Sequence, residues 1–290
     1  MQRIPTAIWT LTVGVLVTLV AIWVGNHVSL FPEQASAQAP LVDDFFKLML
    51  MIATALFLLV AGTILIFAVQ FRRRPGEEGD GVPIEGDFAL EAYWTLIPAV
   101  IVIVLGVYSV QVFTEMGGFA VGGGGGNHLL MGHQHSATAH LVSDEGESSR
   151  PKYGFGGSGE PDVTVTVTGM QYAWIFNYPE GIVSGELHIP VHKTVQLNIK
   201  SADVIHSFWV PQFRLKQDAI PGQDTVLRFT ATKVGDYPVV CAELCGAYHG
   251  AMRTRVHVHT QEDYEKWLAE NLAAQNPDMA STVAVNTDHQ

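Results

Sequence analysis

Asp162-Val-Thr-Val-Thr-Val-Thr-Gly169, followed by Gln171-Tyr-Ala-Trp-Ile-Phe-Asn-Tyr178, decides the fold of the carboxyl-terminal half of this chain. Successive side chains of a strand point to opposite faces, so a Val/Thr alternation makes one face that gains from burial and one that tolerates water. The same period runs through Gly185-Glu-Leu-His-Ile-Pro190, Thr194-Val-Gln-Leu-Asn-Ile199, residues 204–210, Thr225-Val-Leu-Arg-Phe-Thr230, Asp236-Tyr-Pro-Val-Val240 and Arg253-Thr-Arg-Val-His-Val-His259. Gly, Pro, Asp and Asn interrupt the runs, and Pro221-Gly222 marks a turn. Short alternating strands predict a β-sandwich over residues 161–260, since about 100 residues suffice for one.

Beyond the sandwich the period changes. Tyr264, Leu268 and Leu272 share one face of a predicted helix over residues 261–272, with Thr260 as its cap, and the tail to residue 290 is frayed. Ahead of the sandwich, residues 117–160 contain Gly122-Gly-Gly-Gly-Gly126 and Gly154-Phe-Gly-Gly-Ser-Gly159. Such a composition offers little to bury, so this stretch reads as a flexible Gly/His-rich linker. His128, His133, His135 and His140 lie in it as solvated imidazoles rather than preorganised ligands.

The amino-terminal part is different in kind. Residues 48–69 carry no charge and would span about 33 Å as a helix, enough for the hydrocarbon core. The run ends at Phe71-Arg-Arg-Arg-Pro75, which assigns that end to the cytoplasm. Residues 94–113 form a second uncharged span, with Trp94 at an interface and Pro98 early in the helix, where a missing amide hydrogen bond costs least. Together they predict a transmembrane hairpin within residues 38–116 and everything after about residue 115 on the outer side. Residues 8–25 are also uncharged and precede Ala35-Ser-Ala37. Residues 1–37 therefore read as a signal peptide cleaved before Gln38 or as an additional membrane helix. Glu91, just ahead of the second span, is an acid favourably placed near a helix amino terminus.

Charge narrows the function. The chain of 290 residues has a net charge of −12, and no basic surface for nucleic acid presents itself. From Glu115 onward there are 19 acidic and 11 basic residues, a net −8, which suits either a basic protein partner or plain solubility.

The chemistry concentrates in Cys241-Ala-Glu-Leu-Cys245-Gly-Ala-Tyr-His249-Gly-Ala-Met252, which holds both cysteines of the chain. A further imidazole, His206, lies upstream in Asp203-Val-Ile-His-Ser-Phe-Trp-Val-Pro211. Two thiols, two imidazoles and a thioether exceed what one tetrahedral zinc takes, and the thioether points to copper. Two bridging thiolates shared by two copper ions use the set economically, with the backbone carbonyl of Glu243 as a further ligand. A Cys241–Cys245 disulfide and a mononuclear copper or zinc site are the simpler alternatives.

With the hairpin, residues 203–211, Lys216-Gln-Asp-Ala-Ile-Pro-Gly222 and residues 241–252 together, the chain resembles subunit II of cytochrome c oxidase, cyanobacterial members in particular, over nearly its whole length. That resemblance implies an α+β membrane protein, a transmembrane helical hairpin followed by a cupredoxin-like β-sandwich that holds a dinuclear CuA centre. It implies that Cys241 and Cys245 bridge the two coppers, that His206 and His249 each bind one, that Met252 is a weak ligand and that Glu243 donates its carbonyl. It further implies a magnesium ion shared with subunit I through the Glu243 side chain, Asp218 near that subunit boundary and Glu91 at the mouth of a proton path. Where the family often has Gly-x-Gln-Trp-x-Trp, this chain has Tyr172 in place of the first tryptophan and keeps Trp174. These two residues mark the expected point where electrons come in.

The function so implied is transfer of electrons from a soluble c-type cytochrome or plastocyanin, through copper, to the haem groups of subunit I. There dioxygen is reduced to water with proton translocation, and subunit III is a further expected partner. The copper domain would lie on the periplasmic or thylakoid-lumen side. A membrane-anchored copper delivery or interaction protein is the alternative of another class, and it would need a site that releases copper readily.

Overall fold

The computed structural model describes residues 5–73, 75–76, 86–118, 153–156 and 159–275. Among them two compact units form: the apolar helices, and a second unit that joins Glu33–Pro40 to the chain from Phe113 onward. The four linker histidines, and with them most of the expected linker, lie outside the described residues.

The first unit consists of α1 (Thr6–His27), α2 (Ala39–Gln70) and α3 (Phe88–Glu115). All three are long and apolar enough to cross a membrane, with mean hydropathy of 2.3, 2.7 and 2.4 in their most apolar windows. Apolar side chains such as Leu11, Ile64 and Ile103 stay exposed, as a lipid-facing surface requires. α1 lies close to α2, where Gly25 leaves room for Met51, and Phe31 meets Phe46 edge-on at 4.6 Å. α2 meets α3 through Phe45 and Tyr108 at 5.3 Å.

Both predicted spans are parts of longer helices, the first the carboxyl-terminal two thirds of α2 and the second the middle of α3. α2 begins well before residue 48, through Asp43, Asp44 and Lys47, with Lys47 paired to Asp44 at 2.9 Å. Charged residues end the membrane-compatible stretch but do not end a helix. α3 starts at Phe88, where Asp87 accepts hydrogen bonds from the amides of Ala89 (2.9 Å) and Leu90 (3.2 Å). Pro98 is therefore inside the helix rather than early in it, and the carbonyl four residues before it loses its amide partner.

The second unit is a sandwich. Its strands are β1 (Tyr153–Phe155), β2 (Val163–Met170), β3 (Ala173–Asn177), β4 (Val183–Ser184), β5 (Leu187–Pro190), β6 (Thr194–Ser201), β7 (His206–Val210), β8 (Leu215–Ala219), β9 (Thr225–Thr230), β10 (Gly235–Cys241) and β11 (Arg253–His259). One sheet has the order β1-β9-β6-β2-β3-β4 and the other β5-β11-β10-β7-β8. The Val/Thr alternation does what its period predicts: Val165 and Val167 are buried, as are Val195, Leu197 and Ile199 on the neighbouring β6. They meet Phe208, Phe229, Val239 and Val256 in one core.

Three details depart from the sequence reading. β1 falls inside the expected linker and pairs in parallel with β9. β8 carries no alternation to read, because Lys216, Gln217 and Asp218 separate buried Leu215 from buried Ala219. Residues 185–190 contribute only β5, while β4 precedes them. Carboxyl-terminal to the sandwich, α4 (Gln261–Gln275) starts at Thr260, whose hydroxyl donates to Asp263 Oδ2 (2.7 Å) and accepts from the Asp263 amide (3.2 Å). It lays Tyr264, Trp267, Leu268 and Leu272 on the core. Under α4, burial first and the neighbouring His257 and His259 next push His188 down to about 3, so its imidazole is neutral.

Residues 33–40 are part of this sandwich. The Ala35 amide donates to Gln212 (3.0 Å), its carbonyl accepts from Thr232 (2.9 Å), and the Ala37 amide donates to Thr230 (2.9 Å). Ser36 is 2% exposed; its hydroxyl donates to the Phe213 carbonyl (2.9 Å) and accepts from the Ala39 amide (3.1 Å), tying the start of α2 to the sandwich.

Candidate metal centre

Antiparallel pairing of β7 with β10 sets Cys241 opposite Phe208 and so brings the end of β10 beside His206. The chain then turns through residues 242–252 and returns as β11. The base of this loop is closed by Cys241 N–H to the Met252 carbonyl (3.1 Å) and Ala242 N–H to the Ser207 carbonyl (2.9 Å). A short 3-10 turn, His249–Ala251, swings His249 and Met252 inward. Gly246 has φ 135°, and a Cβ there would lie 2.6 Å from the Tyr172 hydroxyl, so only glycine fits.

Loop and strand together gather the expected ligands. Cys241 Sγ lies 3.9 Å from Cys245 Sγ, 3.9 Å from His206 Nδ1 and 3.3 Å from the Glu243 carbonyl oxygen. Cys245 Sγ lies 3.6 Å from His249 Nδ1 and 3.8 Å from Met252 Sδ. One ligand atom each of His206, Cys241 and Cys245 falls within a 4.8 Å cluster. A disulfide needs sulfurs about 2.05 Å apart, so the pair is not one. A metal–thiolate bond of about 2.3 Å lets two sulfurs 3.9 Å apart touch the same ion.

The donor set fits a soft metal in chemistry as well as in spacing. His206 and Met252 are fully buried, Cys245 is nearly so, and only the loop surface meets water. Burial first, and the Cys241 thiol next, push Cys245 up to about 11. Two neighbouring buried thiols resist losing both protons unless a cation compensates the charge, which is what copper would do.

Two residues not assigned to the site by sequence hold it in shape. Asp203 Oδ1 lies 2.7 Å from His206 Nε2, leaving Nδ1 to face the sulfurs. Burial raises the Asp203 carboxyl, but hydrogen bonds from His206 and from the Gln171 and Val204 amides outweigh it and hold the group below its usual range. Gln171 donates its side-chain amide to the Cys245 carbonyl at 2.6 Å.

Around this centre Trp174 is buried, with its ring edge-on to His206 at 6.0 Å and to Phe208 at 5.5 Å. Tyr172 is half-buried and meets Tyr248 edge-on at 5.4 Å. The most exposed apolar groups on the loop are Leu244 (79%) and Tyr248 (68%), neither of which sequence reasoning singled out. The Glu243 side chain is exposed. Asp218 sits apart on β8, where Oδ1 accepts from Ser207 Oγ (2.7 Å) and Lys216 Nζ (3.1 Å). Glu91 is exposed in the first turn of α3.

Residues 21–112 match the family described as cytochrome C oxidase subunit II, transmembrane domain, and residues 182–258 match cytochrome C oxidase subunit II, periplasmic domain. The cytochrome c oxidase subunit 2 of Thermostichus vulcanus is 58% identical over 292 residues, taking in 94% of this chain and 88% of the relative. That of Synechocystis sp. is 46% identical, over 97% of this chain and 88% of the relative. Among solved structures the chain is similar to the periplasmic domain of subunit II of cytochrome oxidase of Bradyrhizobium japonicum, at 30% identity, 39% of this chain, 95% of that chain and a TM-score of 0.37. With both domains of one family matched, and a relative more than half identical along nearly its whole length, the chain belongs to the cytochrome c oxidase subunit II family.

Proposed function

We propose that Cys241 and Cys245 hold two copper ions between them, with His206, His249, Met252 and the Glu243 carbonyl completing a CuA centre. The observation that carries this reading is the 3.9 Å spacing of two buried, unlinked sulfurs flanked by two imidazoles and a thioether. Bound there, a copper pair would supply one-electron redox chemistry. The residues keep reorganisation small, because strand β7, the closed loop base and the Asp203 hydrogen bond hold His206, Cys241 and Met252 before metal arrives. Burial excludes water from His206, Cys245 and Met252.

In the assembled oxidase the chain takes electrons from a soluble donor and hands them to the haem groups of subunit I. Tyr172, at the loop rim against Tyr248, is the side chain through which electrons come in. Trp174 lies below it against His206 and continues the path inward. The exposed Glu243 carboxylate is free to meet a magnesium ion at the boundary with subunit I, and Asp218 faces the same partner. Glu91 serves the mouth of a proton path. Subunit III completes the membrane assembly, with a c-type cytochrome or plastocyanin as donor.

Electron paramagnetic resonance of the copper-loaded protein tests the centre. The expected result is a seven-line mixed-valence signal with two coppers per chain, abolished in Cys245→Ser and shifted in potential, with metal retained, in Met252→Leu. A four-line mononuclear spectrum, or copper that a mild chelator removes at once, would instead favour a delivery protein.

A further inference from the structure

We propose that Glu186, His188 and His257 form a second metal site, on the outer face of the five-stranded sheet, for a divalent transition ion of the zinc class. The parallel register of β5 with β11 pairs His188 with His257. In both strands the neighbours on either side, Leu187 and Ile189, Val256 and Val258, point into the core. The two imidazoles therefore project together from the opposite face. Glu186 precedes β5 and brings its carboxylate Oε2 to 3.1 Å from His257 Nε2. One ligand atom from each of the three residues lies within 4.8 Å of the others. Ligands bound at about 2.1 Å around a tetrahedral ion sit roughly 3.4 Å apart. Glu186 Oε2 and His257 Nε2 are already at 3.1 Å, and His188, stacked on His257 at 4.6 Å and 19°, is the ligand that must tilt to reach the same ion.

What separates this cluster from a chance gathering of surface histidines is that each ring is fixed by its other nitrogen. His257 Nδ1 lies 2.7 Å from Asp236 Oδ1, the carboxylate–imidazole arrangement that orients a metal-binding histidine. The copper centre uses the same device, with Asp203 behind His206. His188 Nδ1 is engaged by His259 Nε2 at 2.9 Å, which leaves Nε2 for an ion. The His188 ring is further clamped by Trp267 of α4, stacked at 4.2 Å and 14°, and its backbone N–H and C=O both bond the Tyr178 hydroxyl (2.7 and 3.0 Å).

The ligand set also states which ion. Two imidazoles and one carboxylate, with no sulfur, suit Zn²⁺ and leave a fourth position for water. His257 lies on β11, five residues past Met252, which immediately precedes that strand, a run of about 17 Å if extended, so the site is separate from the proposed copper ligands. Without an ion, His257 lies between the two carboxylates, within hydrogen-bond distance of each. Zn²⁺ would bind at Nε2, any proton there leaving to solvent, and the Asp236 contact at Nδ1 would be kept.

The test is zinc binding by the purified oxidase with its copper centre filled, compared with His257→Asn, Glu186→Gln and Asp236→Asn oxidase. The proposal expects one more Zn²⁺ per chain in the unmodified protein than in His257→Asn or Glu186→Gln. Asp236→Asn should bind that ion 10–100-fold more weakly. X-ray absorption at the zinc edge should show two imidazoles and a carboxylate oxygen for the extra ion. An unchanged copper spectrum in each variant certifies that the sandwich has folded, and Asp236→Asn, which keeps every ligand, carries the test if His257→Asn does not assemble. Equal zinc stoichiometry and affinity in all four proteins, or a shell without imidazole, overturns the proposal.

Discussion

His206 is held from two sides, and the two contacts do different work. Its Nδ1 faces Cys241, while its Nε2 is fixed by Asp203. Removing Asp203 leaves every proposed copper ligand in place but frees the ring to turn and takes away the acceptor used by the Gln171 and Val204 amides. Asp203→Ala is therefore expected to weaken copper binding 10–100-fold, measured by competition with a chelator, while the circular dichroism of the sandwich is kept. Unaltered affinity would mean that Asp203 has no part in positioning the ring. Glu243→Gln should leave copper content unchanged, since the proposed ligand at that position is the backbone carbonyl. The sequence singled out Cys241, Cys245, His249 and Met252 as a group because thiols, an imidazole and a thioether at that spacing have few other uses, and the fold brings the four together. Asp203 and Gln171 were not readable, because their roles depend on which ring nitrogen turns toward sulfur and on where β3 passes the loop. The three-residue step from Asp203 to His206 is the only trace of the pairing in the chain.

At the scale of elements, the segment between α1 and α2 carries the sharpest consequence. Cleavage after Ala37 would remove Ala35, Ser36 and Ala37, and with them four hydrogen bonds to residues Gln212, Phe213, Thr230 and Thr232. Each buried partner left unsatisfied costs about 1–3 kcal/mol, a large share of the stability of one sandwich. The packing thus weighs against a leader cleaved before Gln38 and for α1 as a retained third span. Intact-mass measurement of the membrane-extracted protein should give an amino terminus upstream of Glu33. A chain beginning at Gln38 would defeat this reading. Why the sequence left both outcomes open is physical. Ala35-Ser-Ala37 suits a peptidase because its side chains are small, and it suits a tight place between strands for the same reason. Small residues do not announce which use applies. The Val/Thr strands were legible because one face of each is buried, whereas β8 offers buried residues only at its two ends and β1 depends wholly on its partner β9.

The whole molecule brings these levels together. Glu33–Pro40 belongs to the sandwich and leads into α2, Arg72 and Arg73 follow the far end of α2, and α3 returns the chain to the sandwich at Phe113. In chain order, the arginines after α2 and the periplasmic-domain family match after α3 agree on a single orientation. The outer part from Glu115 onward then carries its net −8 toward the soluble donor. At the copper loop itself, Leu244 and Tyr248 present apolar surface that fixes a docked partner only at short range. Long-range attraction must therefore come from charge, and it acts within a screening length of about 30 Å at 0.01 M salt and about 8 Å at 0.15 M. With a basic c-type cytochrome as donor, kcat/KM for its oxidation should fall about tenfold or more across that range, while kcat stays nearly constant. With an acidic donor the dependence should reverse, because salt then screens repulsion. Steady-state oxidation of one basic and one acidic donor by the same oxidase decides the matter. Rates that ignore ionic strength for both would mean that the acidic surface serves solubility and that docking rests on the apolar loop alone.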